Sequence, residues 1–344
     1  RRVDRASGLA AAAASAAREA ESAFGDGSLY LERYVERARH VEVQLLGDSH
    51  GQVVAVGERD CSVQRRHQKL VEEAPAPGLS VDQRAEVHAL ALRVARAVGL
   101  RNVATAEFLL SSKGEFWFLE VNARLQVEHG VTELVSGIDL VHEQLWLAAG
   151  RRLSRPVMAA AAEASQPTRH AIEVRIGAED PAREFAPVPG RVTHWREPAG
   201  PGVRVDAGVE EGSAVSAEYD PLLAKLLVVA HDRPAALARL RRALGEFEIA
   251  GVQTTLPFHR WLVDQRHFAD ASGLATDLVA REWQPAALAQ AAALRAAAVA
   301  VRSLPLRQPS AGGASEAHTP TDRAAEPALA WWQAGVHEQL ADRR

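Results

Sequence analysis

Apolar and polar positions along the 344-residue chain follow two rhythms that divide it into helices and strands. Good helix formers run unbroken from Ala6 to Phe24 and stop at Gly25-Asp26-Gly27, predicting a helix. Leu29–Val35, His40–Leu46 and Gln52–Val56 switch to a two-residue alternation, with Asp48 and Gly51 as turn residues between them, and predict antiparallel strands. The rhythm then stops. Glu58 to Gly78 has no sustained period, carries Arg65, Arg66, His67 and Lys69 within five residues, and reads as a loop. That basic cluster fits either a solvated loop or a site capturing an anion such as phosphate or carbonate. Ser80 and Gln83 form a capping box for a helix from Val81 to Val98, closed by Gly99.

Next comes a hairpin, 103–110 with 115–123, joined by Ser111-Ser112-Lys113-Gly114. A two-residue turn sets Glu107 directly opposite Glu120, and a four-residue loop makes them diagonal neighbours on the same face; an odd-length loop would separate them. Two facing carboxylates repel. A divalent cation held by Glu107, Glu120 and the amide oxygen of Asn122 would reverse that, as would exposure of one Glu or an arginine pairing with both. Alternation continues from Leu119 to His129: odd positions are apolar, and Glu120, Asn122, Arg124, Gln126 and Glu128 are polar. The pattern predicts one strand presenting all five on one face.

Thr132–Leu147 is predicted helical in two pieces around Gly137-Ile138-Asp139. Residues 151–168 change composition and read as a linker with a short helix. A strand from His170 sets Glu173 and Arg175 opposite Ile172 and Val174. Strand-like pieces follow at Arg191–Trp195, Val203–Asp206 and Leu223–Val229. Lys225 reads as a core-edge lysine reaching out of the sheet. A helix from Pro234 to Leu244, capped by Asp232, precedes another at Thr254–Val263. Beyond Trp283 an alanine-rich helix and a Pro- and Ser-rich tail are expected. The fold class is α+β, in segments 1–150, 151–168, 169–285 and 286–344.

Composition narrows the function. With 47% apolar and 24% charged residues and no apolar run of membrane-spanning length, a globular chain without a membrane span is expected. A net charge of -4 argues against general nucleic-acid binding. The single cysteine, Cys61, cannot form an internal disulfide, which points to a reducing, cytoplasmic setting. There is no signal-peptide pattern and no initiating methionine, so Arg1 is not expected to be the natural start. Only three of the 40 Lys and Arg residues are lysines, Lys69, Lys113 and Lys225, which makes each worth inspecting.

HVEVQLLGD, ERDCSVQRRHQKLVEEAPAP, EFLL with FLEVNARLQVEHGVTE, and HAIEVRIGAEDP resemble the biotin carboxylase family, in that family's order and spacing. GVQTTLPFHRWLV looks most like the alpha chains of biotin-dependent acyl-CoA carboxylases. The resemblance implies an ATP-grasp domain, here partial, followed by a biotin carboxylase C-terminal domain. It also implies ATP-dependent carboxylation of biotin by bicarbonate through carboxyphosphate, as the first half-reaction of an acyl-CoA carboxylase. By resemblance, Glu107, Glu120 and Asn122 hold Mg2+ or Mn2+ with ATP. Glu32, Arg33, Val35, His40, Gln64, His67 and Leu109 contact the nucleotide. Lys69, Arg124, Gln126 and the Val127 backbone bind bicarbonate, Glu128 is the general base, and Arg175 stabilises the biotin enolate. A biotin carboxyl carrier domain, a carboxyltransferase subunit and a homodimer partner are implied as well. The family's N-terminal domain, lobe lysine and glycine-rich loop would precede Arg1, so the chain is expected to be a piece incomplete for catalysis. Other ATP-grasp carboxylate or carbamoyl ligases, and a non-catalytic remnant binding partner subunits, are the alternatives.

Overall fold

The structure, a computed structural model, describes residues 1–286; the expected tail helix and linker of 286–344 lie almost entirely outside the described residues. The first helix, α1 (Leu9–Phe24), ends where Gly25 adopts φ +72°. The chain then runs irregularly from 26 to 38. The strand expected at Leu29–Val35 does not form. Tyr30 and Leu31 are 84% and 80% exposed, so the alternation there finds no partner strand or core.

Among the described residues, eight strands make one antiparallel sheet. They are β1 (Arg39–Gly47), β2 (Val53–Arg65), β3 (Gln68–Ala74), β4 (Asn102–Leu110), β5 (Phe116–Asn122), β6 (His170–Gly177), β7 (Val203–Ala207) and β8 (Leu222–Ala230). The spatial order is β7-β8-β6-β3-β2-β1-β4-β5. The pairing of β3 with β6, from Val71↔Val174 to Ala74↔Ala171, carries the sheet across the 151–168 segment. Among the described residues no helix is long and apolar enough to cross a membrane.

The supposed loop Glu58–Gly78 is largely the β2–β3 hairpin, turned at Arg66 and His67 with φ of +49° and +67°. Its apolar alternation is broken because charged residues point inward and are paired there. Arg59 bonds Glu42, Arg39 bonds Asp60, and Arg84 and His88 bond Glu58. A buried charge survives when paired and hydrogen-bonded, so inward charges do not exclude a strand.

Helix α2 (Val81–Ala97) carries the expected capping box between Ser80 and Gln83, and its buried Val87, Ala91 and Ala95 pack on Val41, Val43 and Ala106. The two-piece helix is α3 (His129–Ser136) and α4 (Leu140–Ala148), broken at Gly137 with φ +74°. The segment read as a linker contains α5 (Arg155–Glu163), which is docked: Val157 and Ala160 join Leu46, Val56 and Leu140 in one core cluster. A larger core lies between β3, β6 and β8 and the later helices α6 (Arg233–Glu246) and α7 (Leu256–Leu262). Asp232 caps α6, its side chain accepting from Ala235 N at 2.8 Å.

Candidate active site

Lys69 on β3 is the centre of a buried ionic cluster. Its Nζ lies 2.5 Å from Glu42 Oε2, 2.6 Å from Glu128 Oε1 and 3.2 Å from Glu107 Oε1. Burial would favour the neutral amine, but Cys61 and these three carboxylates hold the ammonium well above its ordinary range. Glu42 also takes Arg59 Nε at 2.5 Å. Arg59 is fully buried and bonds Gln44, Thr105 and Thr132 with its other nitrogens. Burial would raise the Glu42 carboxyl; Arg59 and Lys69 overcome this and hold it at about 2. Glu42 and Arg59 were not among the sequence candidates. The signal for Glu42 was the polar alternation His40, Glu42, Gln44 in β1, whose register sets Glu42 opposite Glu107.

The Glu107–Glu120 pair is real, by a route the sequence did not show. The β4–β5 loop runs from Ser111 to Glu115, an odd five residues closed by Ser111 N donating to Glu115 O at 2.9 Å. Leu110 therefore faces Phe116 and Phe108 faces Phe118, a register that would bring Glu107 opposite Leu119. An irregularity between Glu107 and Phe108 shifts the pairing by one, and Glu107 meets Glu120.

Repulsion between the two carboxylates is relieved by Lys69 and by Asn122. Nδ2 of Asn122 donates to Glu107 Oε1 at 3.0 Å and to Glu120 Oε1 at 3.1 Å. His40 Nε2 approaches Glu107 Oε2 to 2.7 Å without hydrogen-bond alignment. Burial would raise the Glu107 carboxyl, but His40 and Lys69 prevail and keep it at about 2. The three side chains converge tightly enough to suit a small hard cation, since a half-turn of the Asn122 amide would present Oδ1 beside the two carboxylates. His40, Glu42 and Glu107 also offer ligand atoms within 4.8 Å of one another.

The run Leu119–His129 is not one strand. β5 ends at Asn122, and α3 starts at His129. Nor is its apolar face buried, Leu119 being 45% exposed and Val121, Leu125 and Val127 only half-buried. Glu128 therefore does not lie along the strand face of Glu120. The intervening loop turns it into the cluster, fully buried, with Oε1 on Lys69 and Oε2 2.8 Å from Arg175 Nη2. Arg175, on β6, is fixed from behind by Glu72 Oε1 at 2.6 Å from its Nε. Burial opposes the Arg175 charge, but Glu72 and Glu128 stabilise it and raise its pKa.

Gln126 is buried and donates to Glu107 Oε1 at 3.2 Å, joining the metal-type pair to the loop. Exposed Arg124 folds onto that loop, its Nη1 lying 3.3 Å from both Leu125 O and Gln126 Oε1. Lys225, read as reaching out of the sheet, instead reaches this loop: Nζ donates to Val127 O at 2.9 Å and pairs with Asp206 at 3.1 Å. The rarity of lysine was the available signal. Beside it lies an open cavity of about 350 Å³ lined by Leu125, Gln126, Val127, His129, Asp206 and Lys225.

Of the residues expected around a nucleotide, His40, Gln64 and Leu109 adjoin Glu107. Gln64 Nε2 lies 3.2 Å from His40 Nδ1, and Leu109 faces His40 on one side and Trp117 on the other. The Arg33 guanidinium stacks over Trp117, 5.0 Å from the ring centre. Glu32 and His67 are exposed and Val35 half-buried, and no hydrogen bond or ion pair joins these three to the cluster among the described residues.

Residues 1–156 match the family described as carbamoyl-phosphate synthase L chain, ATP binding domain, and residues 173–281 match the biotin carboxylase C-terminal domain. The chain is 50% identical over 252 residues to the alpha3 subunit of a biotin-dependent acyl-coenzyme A carboxylase from Mycobacterium leprae, covering 72% of this chain and 41% of that one. It is 44% identical to the biotin carboxylase of a Nostoc species, covering 73% and 55% respectively. The crystal structure of a Campylobacter jejuni biotin carboxylase–β,γ-ATP complex superposes with a TM-score of 0.76 at 42% identity, over 82% of this chain and 61% of that one. The chain thus spans about half or less of the curated relatives it matches.

Proposed function

Because the chain belongs to the biotin carboxylase family, we propose that it serves the ATP-dependent carboxylation of biotin by bicarbonate, the first half-reaction of an acyl-CoA carboxylase. The observation that carries this reading is Glu128 held between Lys69 and Arg175, at 2.6 and 2.8 Å, by strands from the two matched segments. Two cations at one buried carboxylate suit a site where anions are oriented and a proton is removed beside them.

In this reading Lys69, Arg124, Gln126 and the Val127 backbone orient bicarbonate, and Glu128 accepts its proton. The carbonate oxygen then attacks the γ-phosphorus of ATP, ADP leaves, and carboxyphosphate forms. Its breakdown would release CO2 and phosphate beside biotin; the phosphate would take the ureido N–H proton, and the nitrogen would then attack CO2 to give carboxybiotin, with Arg175 facing the enolate oxygen. Glu107, Glu120 and Asn122 would hold Mg2+ or Mn2+, which neutralises phosphate charge when bound. His40, Gln64, Leu109 and Arg33 would line the nucleotide side, with Glu32, Val35 and His67 brought in by the ligand. Biotin would arrive on a carboxyl carrier domain. A carboxyltransferase subunit would take the product, and a second copy of the chain would complete a homodimer.

The test is bicarbonate- and biotin-dependent ATP hydrolysis, measured for this chain alone and within its full-length protein. Activity is expected from the full-length protein. Glu128→Gln should lower it by about 10²–10⁴-fold, the usual contribution of a general base, while nucleotide affinity stays within about twofold. An unchanged rate would remove Glu128 as the base.

A further inference from the structure

Behind Arg175 lie two carboxylates with no stated part in this chemistry. Glu72 on β3 and Glu173 on β6 are paired in register. Ile172, Val174 and Ile176 enter the core, so Glu173, Arg175 and the facing Glu72 share the opposite face. Both glutamates are 0% exposed. Arg175 Nε donates to Glu72 Oε1 at 2.6 Å, and its Nη2 donates to Glu128 Oε2 at 2.8 Å. Three polar atoms are left unsatisfied: Glu72 Oε2 and both oxygens of Glu173. Helix α3 closes over them, a Cβ added to Gly130 falling 3.4 Å from Glu173 Oε2 and 2.5 Å from Leu227 Cδ2.

The charges facing the pair do not suffice for it. They are Lys69 from β3, Arg175 from β6, Lys225 from β8 and Glu128 from the loop before α3, and the buried Cys61 thiol on β2 also faces Glu72 without adding positive charge. Lys69 is committed to Glu42, Glu107 and Glu128, and Lys225 to Val127 O and Asp206. Among the described residues one guanidinium remains for Glu72 and Glu128, and nothing for Glu173. A buried carboxylate without a partner is far less stable than the neutral acid. We propose that Glu72 and Glu173 form a buried acid pair, holding at least one proton between them, that positions Arg175 against Glu128.

Glu173 is the neutral member, its carboxyl pushed well above the ordinary range by burial and then by Glu72. Burial raises Glu72 to about 7 against the pull of Arg175. Glu173 can donate its O–H across the strands, and Glu72 Oε2 is an unused acceptor there. When Glu72 is ionised, Arg175 divides its charge between Glu72 and Glu128; when Glu72 is protonated, Arg175 turns its charge to Glu128 or to a ligand. The pair thereby gives the biotin side of the site a response to pH near neutrality that does not come from the base. This deepens the proposed function and rests on it only in taking Arg175 to face biotin.

The experiment reads the acids directly in the chain as it is, without turnover. Isotope-edited infrared spectroscopy of glutamate-labelled protein should show a protonated carboxyl C=O band at pH 8 that vanishes in Glu173→Gln. The Arg175 Nε–Hε resonance should move between pH 6 and 8 in the wild type, stop moving in Glu72→Gln, and still move in Glu173→Gln. No protonated band at pH 8, or an Arg175 resonance that titrates identically in Glu72→Gln, would overturn the proposal. Either result would leave the carboxylation reading standing, since that is tested by turnover.

Discussion

Removing the charge of Glu42 tests how the cluster holds its ions. Glu42 is wholly buried, and its two oxygens each meet a cation at 2.5 Å. Its carboxyl, which burial would raise, is held by Arg59 and Lys69 at about 2 against an ordinary 4.5. At about 1.4 kcal/mol per pKa unit, that displacement corresponds to about 3 kcal/mol of folding free energy at neutral pH. Glu42→Gln preserves shape but leaves Arg59, itself fully buried, with only the neutral acceptors Gln44, Thr105 and Thr132. Loss of one member of a buried ion pair costs about 3–5 kcal/mol, so the two routes to the magnitude agree.

For a body of this size the melting temperature should fall by roughly 6–12 °C at pH 7, read by calorimetry. The sign with pH follows from a depressed carboxyl. Its contribution is full above its unfolded value and is lost as pH falls through its folded one. The gap between wild type and variant should therefore shrink by about a quarter at pH 4. Glu42→Gln with Arg59→Met should recover part of the loss, because no charge is then stranded. A melting temperature within about 2 °C of wild type for Glu42→Gln at pH 7, or a gap that widens in acid, would refute the reasoning.

Two further outcomes are expected at the edges of the cluster. Glu107→Gln should weaken Mn2+ binding, followed by electron paramagnetic resonance titration, by at least about tenfold, because it removes one of two facing carboxylates; superimposable titrations would sink the paired-carboxylate site. Lys225→Met removes the donor to Val127 O, a charged hydrogen bond of about 1.5–3 kcal/mol. Hydrogen exchange at the Leu125–Val127 amides should accelerate about tenfold or more, and unchanged exchange would mean that Lys225 does not hold the loop.

What the sequence made legible was local. The capping box at Ser80, the break at Gly137 and the Asp232 cap are set by neighbours within four residues, and each stands as expected. The β2–β3 hairpin was hidden because its inward charges are balanced by residues distant in sequence, Arg39, Arg84, His170 and Arg233 among them. Alternation alone carried the β5 reading past Asn122, where the chain leaves the sheet and the polar side chains turn to Lys69 and Glu107 instead. The candidate side chains converge although the single strand meant to present them does not form. Lys69, Glu107, Gln126, Glu128 and Arg175 meet in space although Glu128 and Glu120 share no strand.

The β3–β6 ladder has a mechanical consequence. Lys69 and Arg175, the two cations that grip Glu128, stand on hydrogen-bonded neighbours in a single sheet. Reacting groups must be brought within about 3–3.5 Å and aligned, and misplacement by about 1 Å can cost two orders of magnitude in rate. Here that tolerance is a property of backbone pairing, stiff and fixed at folding. Separating the two cations would mean unzipping interior strands, so adjustment to a ligand falls to the side chains and to the loop that carries Arg124 and Gln126.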